Sequence, residues 1–380
     1  MKHTVVDKIL FFAIIAVFGC KEHYVLPATA VVNTNFLVVE GNINIGQDST
    51  IIKLSRVVPV TDTTKTIVPE RDADITVEAE GGTSFPLHET GNGAYASYIT
   101  PGAAGEKYRL NIKTGNGKQY LSDFVEFKQA PAIDSLSWQQ LNDGVYIYVN
   151  THDNSGKTRY YKWDFVEVWQ YHAPFESDYG VKNGSVFLRD RDSLIYTCWN
   201  TVPSSNIFIQ SNAKLSGDVV YKKLLVFIPA STIKLETKYS ILVKQSALTD
   251  VGFDYWNTLG KNTESLGSLF DPQPSQLQGN IHSVSNPSEP VLGFISATTT
   301  QQQRIFIGRD QLTDWAYPPG PFSICDTLHI TDPAKFQAVL NGSYILIAPL
   351  GLMQPFWAAN PDCADCRLKG GVTTKPSFWP

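Results

Sequence analysis

The sequence lacks the short motifs that identify common enzyme classes. It has no H-E-x-x-H pair, no G-x-S-x-G, no Walker loop and no kinase signature. Its 7 histidines are scattered, and nothing marks any of its 36 acidic residues as half of a catalytic pair. The sequence therefore gives no catalytic residue and no cofactor or metal site, and we expect a protein that is not an enzyme.

Two identical T-G-N-G stretches, at residues 90–93 and 114–117, lack what a phosphate-binding loop needs. Neither has the third glycine of G-x-G-x-x-G, and no helical pattern follows. Because Asn-Gly readily adopts positive φ angles, both predict tight β-hairpin turns. Residues 152–156 (H-D-N-S-G) and 189–193 (R-D-R-D-S) place acids near turns but lack EF-hand spacing. We expect solvated turns there, the first within a further hairpin.

Charged residues are also few. They make up 18% of the chain, and 31 Lys and Arg against 36 Asp and Glu give a net charge of −5. No stripe of basic residues is present, so we expect no nucleic-acid partner. With 43% apolar residues, the chain has the composition of a globular protein, not of a disordered one.

The apolar run at residues 9–18 is too short to span a membrane as a helix, which needs about 20 residues. Its length is typical of the core of a signal peptide. Gly19 and Cys20 follow, as in a bacterial lipoprotein signal, so we predict a signal peptide at residues 1–19 and lipid on Cys20. Residues 20–35 are then a tether. An ordinary secretory signal and a short membrane anchor are the alternatives.

An exported chain reaches a compartment where disulfides persist. Beyond Cys20 the cysteines are Cys198, Cys325, Cys363 and Cys366. They contain one close pair, where a zinc site needs two, and no βαβ pattern surrounds the C-x-x-C as a redox motif requires. Long loops favour cross-linking, so we expect two disulfides that join the two tail cysteines to Cys198 and Cys325. The connectivity stays open, and redox and metal roles are the alternatives.

Short apolar alternations broken by turns run from residue 36 onwards and predict a mainly β fold. We predict an immunoglobulin-like β-sandwich at residues 36–128 and a larger β-rich domain at 129–380, which ends in a disulfide-stapled tail. Two short helices are expected in the second domain. One spans about 249–267, and the other, at 332–342, begins after Asp332 and closes at Gly342.

Two blocks of sequence carry a resemblance to a known family. Residues 241–307 read ILVKQSALTDVGFDYWNTLGKNTESLGSLFDPQPSQLQGNIHSVSNPSEPVLGFISATTTQQQRIFI, and residues 363–380 read CADCRLKGGVTTKPSFWP. They resemble the central signature and the ending of the Bacteroidota lipoprotein family that is numbered 4249 among domains of unknown function. The first domain matches mainly by position. Members of that family often lie beside TonB-dependent outer-membrane receptors, and the resemblance supplies no catalytic residue.

The resemblance and the lipid signal together imply a lipoprotein of the outer membrane. We expect it at the cell surface, held in the membrane by the lipid on Cys20, where it binds a nutrient or a TonB-dependent receptor without catalysis. The periplasmic face is the alternative location. The alternative functions are a structural or assembly protein of the envelope and a surface glycan hydrolase with two carboxylates. The ligand is not indicated.

Overall fold

The computed structural model describes residues 35–46, 48–58, 67–102, 105–230, 232–264, 277–315, 325–347 and 356–380. In these ranges the protein is mainly β, as predicted. No helix in the described part of the chain is long and apolar enough to cross a membrane.

The strands, numbered in chain order, and the helices have these bounds. Strands β1 to β9 are Leu37–Asn44, Thr50–Arg56, Val68–Pro69, Asp74–Ala79, Ser84–Gly91, Ala94–Ser97, Lys107–Lys113, Gln119–Ser122 and Val125–Lys128. Strands β10 to β18 are Ile133–Leu141, Gly144–His152, Tyr160–His172, Tyr179–Lys182, Ser185–Leu188, Thr197–Pro203, Phe208–Ser211, Val219–Pro229 and Lys238–Ala247. Strands β19 to β25 are Ile281–Ser283, Val291–Leu292, Ala297–Thr298, Thr300–Gly308, Thr327–His329, Ile345–Ile347 and Trp357–Ala359. Helices α1 to α3 are Asp250–Glu264, Pro333–Leu340 and Pro361–Ala364.

The first part of the chain forms a closed, barrel-like sheet. Eight strands pair in the order β7-β4-β5-β6-β2-β1-β21-β9, and β9 pairs again with β7. The immunoglobulin-like sandwich predicted for residues 36–128 is not confirmed, because these strands close on one another in a single sheet. Alternate side chains point inwards and share one apolar core, for example Val39, Ile52, Leu54, Ile75 and Val77.

Both T-G-N-G stretches form the predicted hairpins. Asn92 and Gly93 join β5 to β6 with φ angles of 52° and 71°. The second stretch joins β7 to β8, where Gly117 has a φ angle of 83°. Local turn chemistry was sufficient to predict these two connections.

Strands β19, β20 and β21 belong to this first sheet although they lie late in the chain. They pair with β8, β1 and β9 respectively, and β21 also pairs with β1. The segment from Ile281 to Thr298, placed by the sequence in the second domain, is thus hydrogen-bonded to the first sheet.

Two sheets enclose the second core. One has the order β10-β11-β17, and the other has the order β15-β12-β18-β22 with β16 also paired to β12. Val145, Ile147 and Val149 point into this core from the first sheet, and Trp163 and Ile241 do so from the second. The hairpin predicted at residues 152–156 is wrong, because the strands on either side, β11 and β12, lie in different sheets.

A smaller sheet, in the order β23-β25-β24, is formed by strands from the last part of the chain. Helix α2 packs on it through Val339, and Asp332 caps the helix by accepting a hydrogen bond from the Lys335 backbone at 3.0 Å. The two predicted helices are confirmed as α1 and α2. The sequence missed α3, a single turn that carries Cys363.

Candidate partner-binding surface

The four cysteines beyond Cys20 form two disulfides. Cys198 is bonded to Cys366, and Cys325 is bonded to Cys363. Each bond therefore joins one tail cysteine to the body of the protein, as expected, and the Cys363–Cys366 pair is not bonded to itself. Cys20, the predicted lipidation site, lies outside the described residues.

The tail around the Cys198–Cys366 bond packs against the second core, and the Cys325–Cys363 bond lies in a separate small apolar cluster. Trp199 in β15 and Val372 in the tail exchange two backbone hydrogen bonds, of 2.8 and 2.9 Å. The Tyr171 hydroxyl donates to the carbonyl of Cys366 at 2.8 Å, and Trp379 packs edge-on against Trp199. This packing gives the cysteines a structural role.

The acids near turns organise their own loops. Asp153 accepts hydrogen bonds from the backbone of Ser155 and Thr158, both at 2.8 Å. Partial burial would raise the pKa of Asp153, but the hydrogen bonds from Ser155 and Thr158 outweigh it and lower the pKa to about 2. Asp190 caps the short helix Arg191–Ser193. Across the described residues, no group of three or more His, Cys, Asp or Glu could hold a metal ion.

The part of the exposed face of the sheet β10-β11-β17 that β11 and β17 form carries large apolar side chains. Alternation along β11 buries Val145, Ile147 and Val149, and so turns Tyr146 and Tyr148 outwards. Their cross-strand partners in β17 are Phe227 and Leu224. A register shift in this pairing lets both Leu225 and Val226 point into the core, and it leaves Leu224 and Phe227 on the outside.

We name this surface the β17 face and define it by its five large outward side chains. They are Tyr146, Tyr148, Tyr221, Leu224 and Phe227. Tyr221 is 76% exposed, and Leu224 and Phe227 are each more than 40% exposed. The rings of Tyr146 and Phe227 are in contact at a tilt of 35°, with their centroids 4.7 Å apart, and the Lys222 ammonium lies 6.0 Å from the centroids of the Tyr148 and Tyr221 rings. A contiguous aromatic surface of this kind is typical of a site that binds another molecule.

Strand β17 is also an edge strand. Among the described strands it pairs with β11 alone, so the N–H and C=O groups on its other side have no strand partner. Its 11 residues, at about 3.3 Å each, span about 36 Å. Lys222 and Lys223 lie on this strand, and charged edge residues disfavour pairing between identical copies. The edge is therefore suited to an extended segment of a different protein, especially an acidic one.

The sequence contains a signal for this surface beyond the alternation that predicts a strand. In G-V-Y-I-Y-V-N, residues 144–150, both alternating sets are apolar, whereas a strand with one face in water normally alternates apolar with polar. Such a strand is either covered on both faces or exposes aromatic side chains. The structure shows the second arrangement.

Comparison with known proteins identifies a family for the chain but no function. No curated protein matches the chain. A solved structure described as "Complete structure of manganese lipoxygenase of Gaeumannomyces graminis and partial structure of zonadhesin of Komagataella pastoris" is 10% identical to it. The match covers 58% of this chain and 91% of that one, with a TM-score of 0.15, which carries no information on fold or function. The model of the family described as "Domain of unknown function (DUF4249)" matches residues 21–304. Because this match spans about three quarters of the sequence, the chain belongs to the DUF4249 family.

Proposed function

We propose that the protein is a lipid-anchored accessory protein of the outer membrane that binds a TonB-dependent receptor and acts in nutrient uptake without catalysis. The anchoring part of the proposal is supported by the signal pattern that ends at Cys20. The receptor is suggested by the resemblance of residues 241–307 and 363–380 to the Bacteroidota lipoprotein family. We also propose that the protein lies on the cell surface and not on the periplasmic face of the outer membrane.

The observation that carries the proposal is the β17 face together with its unpaired edge. Tyrosine is enriched among the residues that dominate binding energy at protein interfaces, and it loses little conformational entropy when it is fixed. Tyr221 exposes three quarters of its surface in the free protein, so a partner can bury most of it. The edge adds a directional component, because backbone hydrogen bonds align an incoming strand with β17.

The receptor part of the proposal is tested by co-purification in mild detergent. A tagged wild-type protein should retain a TonB-dependent receptor, identified by mass spectrometry. Tyr221→Asp should weaken this association about 30-fold, which corresponds to about 2 kcal/mol, because a charge replaces a ring that the bound receptor would bury. Tyr98→Asp is the matched control, since Tyr98 is 71% exposed and lies in the first sheet region, away from β17. Equal retention by both variants, or purification of the wild type alone, contradicts the proposal.

The anchor is tested separately. Cys20→Ala should abolish lipidation and release the protein from membranes, since several acyl chains bind a bilayer far more strongly than one. The measurement is fractionation after a carbonate wash, with metabolic labelling by a fatty acid. A variant that still fractionates with membranes refutes the lipid anchor. A deletion strain with normal nutrient uptake refutes the role in uptake.

A further inference from the structure

Strand β17 carries two neighbouring lysines in different surroundings. Lys222 is exposed, and its ammonium lies 6.0 Å from the centroids of the Tyr148 and Tyr221 rings. Its φ angle is 49°, and its backbone N–H donates to Asn150 Oδ1 at 2.8 Å. Lys223, the next residue, is half-buried. The charge of Lys222 therefore faces solvent and two aromatic rings, whereas the side chain of Lys223 is partly removed from water.

Lys223 leaves the strand on the side of the second core. It pairs with Val149 of β11, which in turn pairs with Leu136 of β10. Residues directly opposite one another in paired strands lie on the same face of a sheet, and both Val149 and Leu136 are buried in the second core. These three residues thus form one row across the inner face of the sheet. Among the described strands β17 has no partner on its other side, so the row ends in a cation at the sheet edge.

The surroundings of Lys223 do not compensate its charge. Burial lowers the pKa of Lys223, and no acid in the described part of the chain offsets this effect. Lys234 of the second core differs, because its ammonium pairs with Glu167 at 2.8 Å. A half-buried ammonium without an opposite charge is unfavourable, and a carboxylate beside it interacts more strongly than one beside a fully hydrated lysine. The edge of β17 at Lys223 therefore favours a partner that supplies a negative charge there.

We propose that the segment of the receptor that binds the edge of β17 is extended and carries an Asp or Glu opposite Lys223, with apolar residues immediately before and after that acid. An added strand continues the row of Leu136, Val149 and Lys223, so the acid lies on the inner face of the sheet beside the ammonium. The two neighbours of the acid point the other way, over the β17 face. One of them covers Leu224, which follows Lys223 on the outer face and is 41% exposed in the free protein.

An inward-facing charge on an edge strand also discourages pairing between identical copies of a chain. Both effects have one physical origin, because a strand without an acid at this position would leave Lys223 uncompensated. Their consequences differ. Protection of the edge predicts only that a variant without the charge associates with itself, whereas recognition predicts that such a variant loses its preference for an acidic partner.

This inference rests on the proposed function for the identity of the partner, and it adds the chemistry by which the partner is recognised. The two fail separately. Purified protein that prefers an acidic peptide in the absence of any receptor supports the role of Lys223 alone. If Tyr221→Asp weakens co-purification of the receptor and Lys223→Met leaves it unchanged, the proposed function stands and the role of Lys223 is refuted.

The experiment is calorimetric titration of the purified full chain with two capped peptides of about nine residues, the length of an ordinary strand. In both peptides Val and Thr alternate on each side of a central residue, which is Glu in one and Gln in the other, and Val occupies the positions next to it. The Glu peptide should bind with a Kd of about 1 mM or tighter, and the Gln peptide about tenfold more weakly, because it lacks the charge that Lys223 needs. The difference should shrink as the salt concentration rises.

Three lysine variants locate the preference, and the melting temperature of each is measured first. Lys223→Met keeps the length of the side chain but removes its charge, so it should bind the two peptides equally. Lys223→Arg keeps the charge and should keep the preference, as should Lys222→Met, the matched control at the neighbouring exposed lysine. Equal binding of both peptides by the wild type, or binding of neither, overturns the proposal. So does an equal loss of preference in Lys222→Met and Lys223→Met, or a Lys223→Met variant that associates with itself and still prefers the Glu peptide.

Discussion

Replacing Cys198 and Cys366 by alanine should destabilise the protein more than replacing Cys325 and Cys363. The first disulfide closes a loop of 168 residues, and the second closes one of 38. In the chain-entropy estimate, restricting the unfolded chain in these ways stabilises the fold by about 5 and about 4 kcal/mol at 25 °C. The loss of buried sulfur adds to both values, because Cys198, Cys363 and Cys366 are fully buried.

The assay is equilibrium unfolding in urea, followed by tryptophan fluorescence. Trp199 and Trp379 lie on opposite sides of the contact between the tail and the core, so their environment changes when the tail detaches. The wild type in a strong reductant is the internal control, and its midpoint should fall below those of both double variants. A larger loss in the Cys325 and Cys363 variant, or a midpoint unaffected by reductant, refutes the reasoning. A non-reduced peptide that contains a Cys363–Cys366 bond refutes the connectivity.

Two further outcomes follow from the geometry. Gly371→Ala should lower the melting temperature through overpacking of about 1–3 kcal/mol, because an added Cβ would lie 2.9 Å from the Cβ of Cys198 and closer still to the Tyr171 hydroxyl. Gly217→Ala, where nothing lies within 4 Å of the added atom, should leave it unchanged, and equal shifts contradict the tight packing of the tail. Asp153→Asn should destabilise the protein at neutral pH, since the folded pKa of about 2 lies below the ordinary value of 3.8. The difference from wild type should be fully present above about pH 4, shrink as the pH falls, and vanish below about pH 2. A difference in thermal stability that is independent of pH contradicts the charged hydrogen bonds of Asp153.

Local chemistry made several elements predictable from the sequence. Asn92-Gly93 predicts its hairpin because only a few residues tolerate two successive positive φ angles. Asp332 and Pro333 predict the start of α2 because a carboxylate satisfies free N–H groups and proline fits the first turn. The disulfide bonds to the tail were predicted from loop length and from the export that the signal pattern predicts. The turn at Asp153 was predicted as a turn, but nothing local says whether the strands that leave it will pair.

Non-local features were the ones that the sequence did not reveal. Strands β20 and β21 have two residues each, too few for a period-two pattern, so their return to β1 has no local signature. A cavity beside Arg56 is lined by residues of β2, of the turn before β8 and of the loop before β20, which are far apart in sequence. The exposure of Tyr221 depends on what covers β17, and that is a property of the whole fold.

Strand β21 lies late in the sequence but pairs with β1 and β9, and this limits the order in which the parts of the chain can fold. The closed sheet includes a contact between Ile43 and Ala297, so it cannot be completed until more than 250 intervening residues have been made available. A fragment ending at residue 128 would leave β1 and β9 with an open seam and unpaired backbone groups between them. The second core, by contrast, can begin from the neighbouring strands β10 and β11, whose contacts are local. Folding would then start in the middle of the chain, and the part that is synthesised first would be among the last to close.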